Sequence, residues 1–330
     1  HGGEEFLKPV LINDEVLTKI DKLGQLAPLH NPVNLKGIRE SMKLFSDIPQ
    51  VAAFDTSFHV RTLEPHVYRY ALPSVASKKI RRYGFHGTSH EFVSREATKM
   101  LQEYDGTVDH SLHAKLITLH LGNGCSACAI VGGRSVDTSM GLTPLEGLIM
   151  GTRCGDVDPA VVTHLVTNDE QKVDPFKAEK LLNHESGLRG LCGTNDMREV
   201  IRKMRQQPEG DKNATLAFTM FCYRIRKYVG SYFTALNGCD ALVFTAGIGE
   251  NSAEVRLEVC KHLSALGILL DESKNTLVSK CDPNTYAIHA SGSKVKIFVI
   301  PTNEELEIAK RAYEVLQETK QQQQGHLAPR

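Results

Sequence analysis

Leu116-Ile117-Thr118-Leu119-His120-Leu121-Gly122-Asn123-Gly124-Cys125-Ser126-Ala127-Cys128-Ala129-Ile130-Val131 decides the fold class. This is the longest apolar stretch of the chain, yet His120, Gly122, Asn123 and Gly124 break it in the middle. A membrane span needs about 20 predominantly apolar residues in a row, which that break denies. Asn-Gly between two apolar runs is instead a hairpin signal. The stretch therefore predicts two short buried strands, 115–121 and 125–131, with 134–138 as a third antiparallel neighbour. Further strands are expected at 51–54, 241–245 and 295–300. Helical spacing is read at 15–25, 33–45, 89–101, 159–167, 175–184, 196–205, 214–236, 252–266 and 303–319. Strands followed by alternating helices and strands predict an α/β protein, with helices on both faces of a mixed sheet. Pro65 and Pro73 punctuate a crossing between domains. Residues 321–330, opening with four glutamines, are expected to be a disordered polar tail.

At 330 residues the chain is long enough for two domains. Its 41% hydrophobic and 24% charged composition is that of an ordinary globular protein. The 39 basic and 39 acidic residues cancel, so neither a nucleic acid nor a membrane surface is an expected partner. Eight cysteines are thinly spread, and free thiols in a reducing cytosol are the expectation. Cys125 and Cys128 make a lone CxxC in a strand-like run, with no second pair to complete a zinc site.

Arg82-Tyr83-Gly84-Phe85-His86-Gly87-Thr88-Ser89-His90 reads as a loop, because two glycines so close together weaken any regular element. It presents Phe85 beside His86, an apolar group next to a polar donor, and Thr88 or Ser89 is expected to cap the helix that follows. Such a pair suits a small substrate with one apolar and one charged end. Three glycine turns could hold phosphate: His120–Gly124 between two strands, 193–198 opening a helix, and 244–251, where Gly247-Ile248-Gly249 links a strand to a helix. Ser252 stands where a dinucleotide fingerprint needs its last glycine, which counts against a nicotinamide oxidoreductase. No P-loop is present, so several separated loops would have to hold a nucleotide.

Read in order, the chain resembles the acetokinase family of the actin-like ATPase superfamily. The likeness is carried by HGGE at 1–4, LAPLHNP at 26–32, AFDTSFH at 53–59, RRYGFHGTSHEFV at 81–93 and LHLGNGCS at 119–126. It continues through DTSMGLTPLEGLIMGTRCGDVDP at 137–159, GTNDMRE at 193–199, FTAGIGENS at 244–252 and IPTNEE at 300–305. The resemblance implies two ribonuclease-H-like domains about a central cleft. One would comprise 1–60 plus 303–320, the other, nucleotide-binding, 61–302. It also implies a cytoplasmic homodimer. The implied reaction is reversible transfer of the ATP γ-phosphoryl group to acetate, giving acetyl phosphate and ADP. Propionate or butyrate are the alternative acceptors.

The site residues follow from the same resemblance. Arg153 and His86, with His30, are implied as donors to the transferring group. A surface salt bridge with Asp156 or Asp158 is the alternative for Arg153. His59, His66 and His90 are read as structural. Asp55 ends a buried strand and is implied as the catalytic acid–base residue. Acetate needs no deprotonation, so its expected task is to orient water bound to magnesium. Glu304 is implied as the Mg²⁺ (or Mn²⁺) ligand, beside a Thr302-x-x-Glu305 capping box. Leu29, Phe85 and Pro144 are the implied pocket for the acyl methyl. ATP or ADP is expected against His120, Leu121, Gly122, Asn123 and Gly124, against Asp196, Met197 and Arg198, and against Gly247, Ile248, Gly249, Glu250 and Asn251. Family members also carry an N-terminal phosphate loop and a carboxylate-binding arginine upstream of the His-Gly-Gly. This chain is accordingly expected to be part of a longer protein. A catalytically impaired nucleotide-binding or dimerisation fragment is the other reading.

Overall fold

A computed structural model describes residues 1–28, 30–73, 80–105, 111–167, 173–206, 208–278 and 286–325. Its strands form two sheets. β1 (Val10–Leu11) and β2 (Val51–Ala52) pair antiparallel. β3 (Lys115–Leu121) and β4 (Cys125–Val131) form the predicted hairpin, in unbroken register from Lys115 opposite Val131 to Leu121 opposite Cys125. The turn closes with Gly122 N donating to Gly124 O at 3.0 Å. β5 (Arg134–Thr138) extends the meander, with a register shift at Ala129/Ile130. β6 (Ala241–Thr245) lies parallel to β3, β7 (Tyr286–Ala287) closes the far edge, and β8 (Lys296–Val299) lies parallel to β6. The resulting order is β5-β4-β3-β6-β8-β7.

Alternation along β3 and β4 splits the core in two. Ile117, Leu119, Ala127 and Ala129 face the Lys212–Ala235 helix, whose Phe221, Ile225 and Val229 are fully buried against them. Leu116, Cys128 and Ile130 face the Gly87–Asp105 helix, which contributes Phe92, Val93, Ala97 and Leu101. Thr118, His120 and Ser126 share that second face by the period of two. They meet the first turn of the helix, where its apolar residues have not yet begun. The CxxC thiols fall in different cores, because positions three apart on a strand point to opposite faces. A third, smaller core of Phe6, Ile20, Leu35, Ala52 and Phe54 joins β1 and β2 to the Asp14–Lys22 and Asn31–Leu44 helices. No described helix is long and apolar enough to cross a membrane.

Several expectations are corrected. The 252–266 segment is not one helix: Ala253–Cys260 ends and a 3₁₀ turn, Ser264–Leu266, follows. Residues expected as a phosphate loop form the short helix Ala246–Asn251, entered through Ala246 at φ +63°. The strand near Asp55 stops at Ala52, because Phe54 turns to stack on Phe6 at 4.4 Å. The last helix runs Glu304–Gly325 through the glutamines, which are good helix formers. The tail from 326 lies outside the described residues. Gly187–Cys192 and Glu272–Leu277 are helices too short to show a period.

Candidate active site

The Phe85-His86 loop is fixed by Asp55. The His86 N–H donates to Asp55 Oδ2 at 2.7 Å, and the Gly87 N–H to the Asp55 carbonyl at 2.9 Å. Asp55 thus satisfies the first donors of the Gly87–Asp105 helix, a task expected of Thr88 or Ser89. Gly87 is required, since a Cβ there would overlap the Asp55 carbonyl oxygen. His86 itself sits at φ +55°, a strained setting for a non-glycine residue. Ser89 instead bonds to His120 Nδ1 (2.8 Å) and receives the Thr302 hydroxyl (2.9 Å). That contact takes Thr302 away from capping. Asn303 caps the last helix, accepting from the Leu306 N–H at 2.9 Å, so the expected Thr302/Glu305 box does not form.

The loop is floored by imidazoles. His86 stacks on His120, ring centroids 4.0 Å apart. His90 lies between Ser126 and Thr118, and His59 between Ser135 and the Phe85 carbonyl. Burial holds His59 near pKa 4 and His86 near 3, and pushes His90 and His120 well below their usual value. All four are neutral at pH 7, hydrogen-bonding groups rather than cations. The buried, fully bonded settings of His59 and His90 agree with a structural reading. His66 stands apart, in the short helix Pro65–Tyr68.

Arg153 is the cation of this site. Its Nη1 donates to the Pro144 carbonyl at 3.3 Å. Among the described residues no carboxylate lies within ion-pair distance of it. Asp156 bonds instead to Gly147 N, Tyr228 and Arg224, so the alternative salt bridge to Asp156 is absent. Nη1 of Arg153 and Nε2 of His86 lie 3.4 and 3.3 Å from the point where a side chain at Gly124 would begin. Two donors therefore converge over one glycine. His30 precedes the Asn31–Leu44 helix, an exposed residue whose ring is pushed below its ordinary value by partial desolvation and by the Arg153 charge. Phe85 packs against the main core, and Pro144 is half-buried beside Arg153. Leu29 lies outside the described residues. Glu304 is half-buried, and its carboxyl is raised by burial and by the Asp55 charge. Two carboxylates that repel each other in this way suit a hard divalent cation between protein and phosphates.

Next to the β3–β4 turn lies a cavity of about 730 Å³, large enough for a nucleotide. Gly122, Asn123, Asp196, Met197, Arg198, Gly247, Ile248 and Asn251 line it, together with Asn195 of the expected 193–198 phosphate turn and with Ile201, Ser252 and Glu254, which sequence reasoning did not select. His120, Leu121, Gly124, Gly249 and Glu250 do not line it. Leu121 and Gly249 are buried, and Glu250 accepts from Thr302 N at 3.2 Å. Asn123 ties the cavity to Arg153: its carbonyl accepts from Gly151 N at 2.9 Å, its side-chain oxygen from Asn195 at 3.0 Å. The Ala246–Asn251 helix is anchored from below by Arg256, whose Nη1 donates to the Gly249 and Glu250 carbonyls.

A family model described as "Acetokinase family" matches residues 1–310. An acetate kinase of Syntrophobacter fumaroxidans is 52% identical over 318 residues, 96% of this chain and 74% of that protein. One from Streptomyces coelicolor is 49% identical over 321 residues, 97% of this chain and 75% of that protein. Among solved structures, acetate kinase from Porphyromonas gingivalis superposes with a TM-score of 0.86 at 43% identity, covering 96% of this chain and 76% of that one. A propionate kinase from Francisella tularensis superposes at 0.85 with 45% identity, over 94% and 76%. These structures share the α/β, actin-like architecture expected from the sequence, and the chain belongs to the acetokinase family.

Proposed function

We propose that this site exchanges a phosphoryl group between ATP and acetate, giving acetyl phosphate and ADP, in both directions. The observation that carries the reading is the convergence of the Arg153 guanidinium and His86 Nε2 over Gly124, beside a nucleotide-sized cavity. An acetate oxygen attacks the γ-phosphorus, the bond from that phosphorus to the β,γ-bridging oxygen breaks, and ADP leaves with the electron pair. The nucleophile is already an anion, so no general base is needed. The barrier is repulsion between two anions and the placing of one on the other, which positioned donors reduce. Arg153, free of a carboxylate partner among the described residues, supplies the planar cation for the equatorial oxygens, and neutral His86 a second donor. His30 is a third donor at the same centre.

Mg²⁺, when bound, would neutralise phosphate charge. Glu304 would hold it, and Asp55, already fixed to the His86 N–H, would orient its water. Phe85 and Pro144 face the acyl methyl in this reading, and Leu29 is assigned to the same pocket by the family resemblance alone. The separate small core, drawn wholly from residues 6–54, supports the 1–60 part of a first domain that the reading completes with 303–320, against a second of 61–302. A cytoplasmic homodimer completes the proposal.

Trapping acyl phosphate with hydroxylamine tests it, with acetate, propionate and butyrate as acceptors. Propionate is included because the Francisella relative is a propionate kinase. The chain is assayed as it stands and extended with the N-terminal segment of an acetate kinase relative. Hydroxamate from the extended form, greatest with acetate, is the expected result. None from either form overturns the reading.

A further inference from the structure

We infer that Ser126, His90 and Thr118 form a directional hydrogen-bond relay that fixes His86 with its proton on Nε2, making these three buried residues positioning groups for the phosphoryl donor. This deepens the function proposed above and rests on it.

The argument is a count of protons. Ser126 Oγ lies 2.8 Å from His86 Nδ1 and 2.7 Å from His90 Nε2. His90 Nδ1 lies 2.7 Å from Thr118 Oγ1. Ser126 has one hydroxyl proton and, among the described residues, its hydroxyl bonds only to these two imidazoles, so one accepts and the other donates; two imidazole donors would leave the serine proton without an acceptor. Two arrangements satisfy this. In the first, Thr118 donates to His90 Nδ1, His90 Nε2–H donates to Ser126, and Ser126 donates to His86 Nδ1. The His86 proton is then on Nε2. In the second every bond reverses, and His86 carries its proton on Nδ1, turned away from the donor position over Gly124.

Thr118 decides between them. It is fully buried in β3, and among the described residues its hydroxyl has no side-chain or carbonyl partner besides His90. The reversed arrangement leaves that hydroxyl proton without an acceptor, which disfavours it about tenfold or more. The forward arrangement leaves only a lone pair unfilled. Burial keeps His86 and His90 neutral at pH 7, so each imidazole has one proton and the choice is forced. The relay's far end is β3 itself, held by β4 and β6 on its two sides. The Nε2–H that results lies beside the Arg153 guanidinium at Gly124, where a reversed His86 would offer a lone pair. A lone pair there would repel a phosphoryl oxygen.

The experiment is ¹⁵N–¹H correlation of the imidazole nitrogens in histidine-labelled protein, His86 signals being assigned by loss in His86→Ala. The expected result is a protonated Nε2 and a hydrogen-bonded, unprotonated Nδ1 on His86. A proton on Nδ1 overturns the relay whatever the activity. Two variants add kinetics. Ser126→Ala should move the His86 Nδ1 signal to that of an unbonded nitrogen and lower kcat about tenfold, with KM for ATP within twofold. His90→Gln should rescue both readouts to within about threefold, because its amide donates to Ser126 and accepts from Thr118. An unchanged Nδ1 signal or kcat in Ser126→Ala, or a His90→Gln that behaves like Ser126→Ala, overturns it. His86→Ala with normal turnover would remove the phosphoryl-donor reading instead, leaving the nitrogen assignment intact.

Discussion

Lowering the pH from 7 to 5 should remove stability that the buried imidazoles confer. His59 is held near pKa 4 and His86 near 3, both chiefly by burial, against 6.5 for a free imidazole. Between pH 6.5 and about 4 the unfolded chain therefore binds protons that the folded chain refuses. Stability is fully present above that window and is lost as the pH falls through it. Each histidine costs about 1.4 kcal/mol per pH unit once the unfolded form is protonated, or about 2 kcal/mol between pH 7 and 5. His86 keeps one accessible edge, so the two together give about 3–4 kcal/mol, a large part of the roughly 5–15 kcal/mol that holds a folded protein together. His90 and His120 act in the same sense. Glu304 and Asp137, whose carboxyls burial raises, act in the opposite sense. A variant difference is therefore more decisive than the raw slope. Urea unfolding followed by circular dichroism at pH 7 and 5, at fixed ionic strength, gives the stability loss for the wild type and for His59→Gln. The variant should lose about 2 kcal/mol less. Equal losses in both proteins would refute the reasoning.

Arg153→Ala should lower kcat by about 10²–10³ while ATP affinity by calorimetry stays within about twofold, because the guanidinium acts on the transferring group rather than the adenosine. Comparable losses in both would contradict its role. Gly87→Ala should destabilise the fold by about 1–3 kcal/mol in denaturant melts, since the new methyl overlaps the Asp55 carbonyl that anchors the loop. Arg256→Met should cost about 3 kcal/mol or more, leaving the Gly249, Glu250 and Asn275 carbonyls buried without their donor. It should also weaken ATP binding, whereas unchanged binding would separate the Ala246–Asn251 helix from the nucleotide site. Glu304→Gln should raise the Mg²⁺ concentration for half-maximal turnover by about tenfold or more, and an unchanged Mg²⁺ titration would remove Glu304 from the metal.

The meander β3–β5 was legible to the residue, and so were β6 and the helices Pro159–Thr167 and Pro175–His184, because alternation, an Asn-Gly turn and proline starts are local signals. The helices at 187–192 and 246–251 were not: each is six residues, too short for a period, and each carries two glycines, which weaken a helical reading. Glu250 and Leu121 looked like nucleotide contacts because they share a motif with residues that line the cavity. A motif is continuous in sequence, whereas a wall is not, and alternate residues on a strand or helix turn away from it. Thr118 carried no signal, and Ser126 only its place at the end of LHLGNGCS. In an apolar run a hydroxyl reads as a tolerated small residue.

The chain's order of residues by itself determined the β3–β5 hairpin and meander, and the segments in which Asp55, His86, Arg153 and Glu304 stand, since those follow from neighbours within a few positions. Only the tertiary structure decided what these groups are chemically. Docking the Gly87–Asp105 helix on β3 and β4 takes four imidazoles out of water, which makes them neutral, and sets His90 between two hydroxyls from separate strands. Protonation and hydrogen-bond direction depend on burial and on partners brought from a distance, and neither is written in any local stretch.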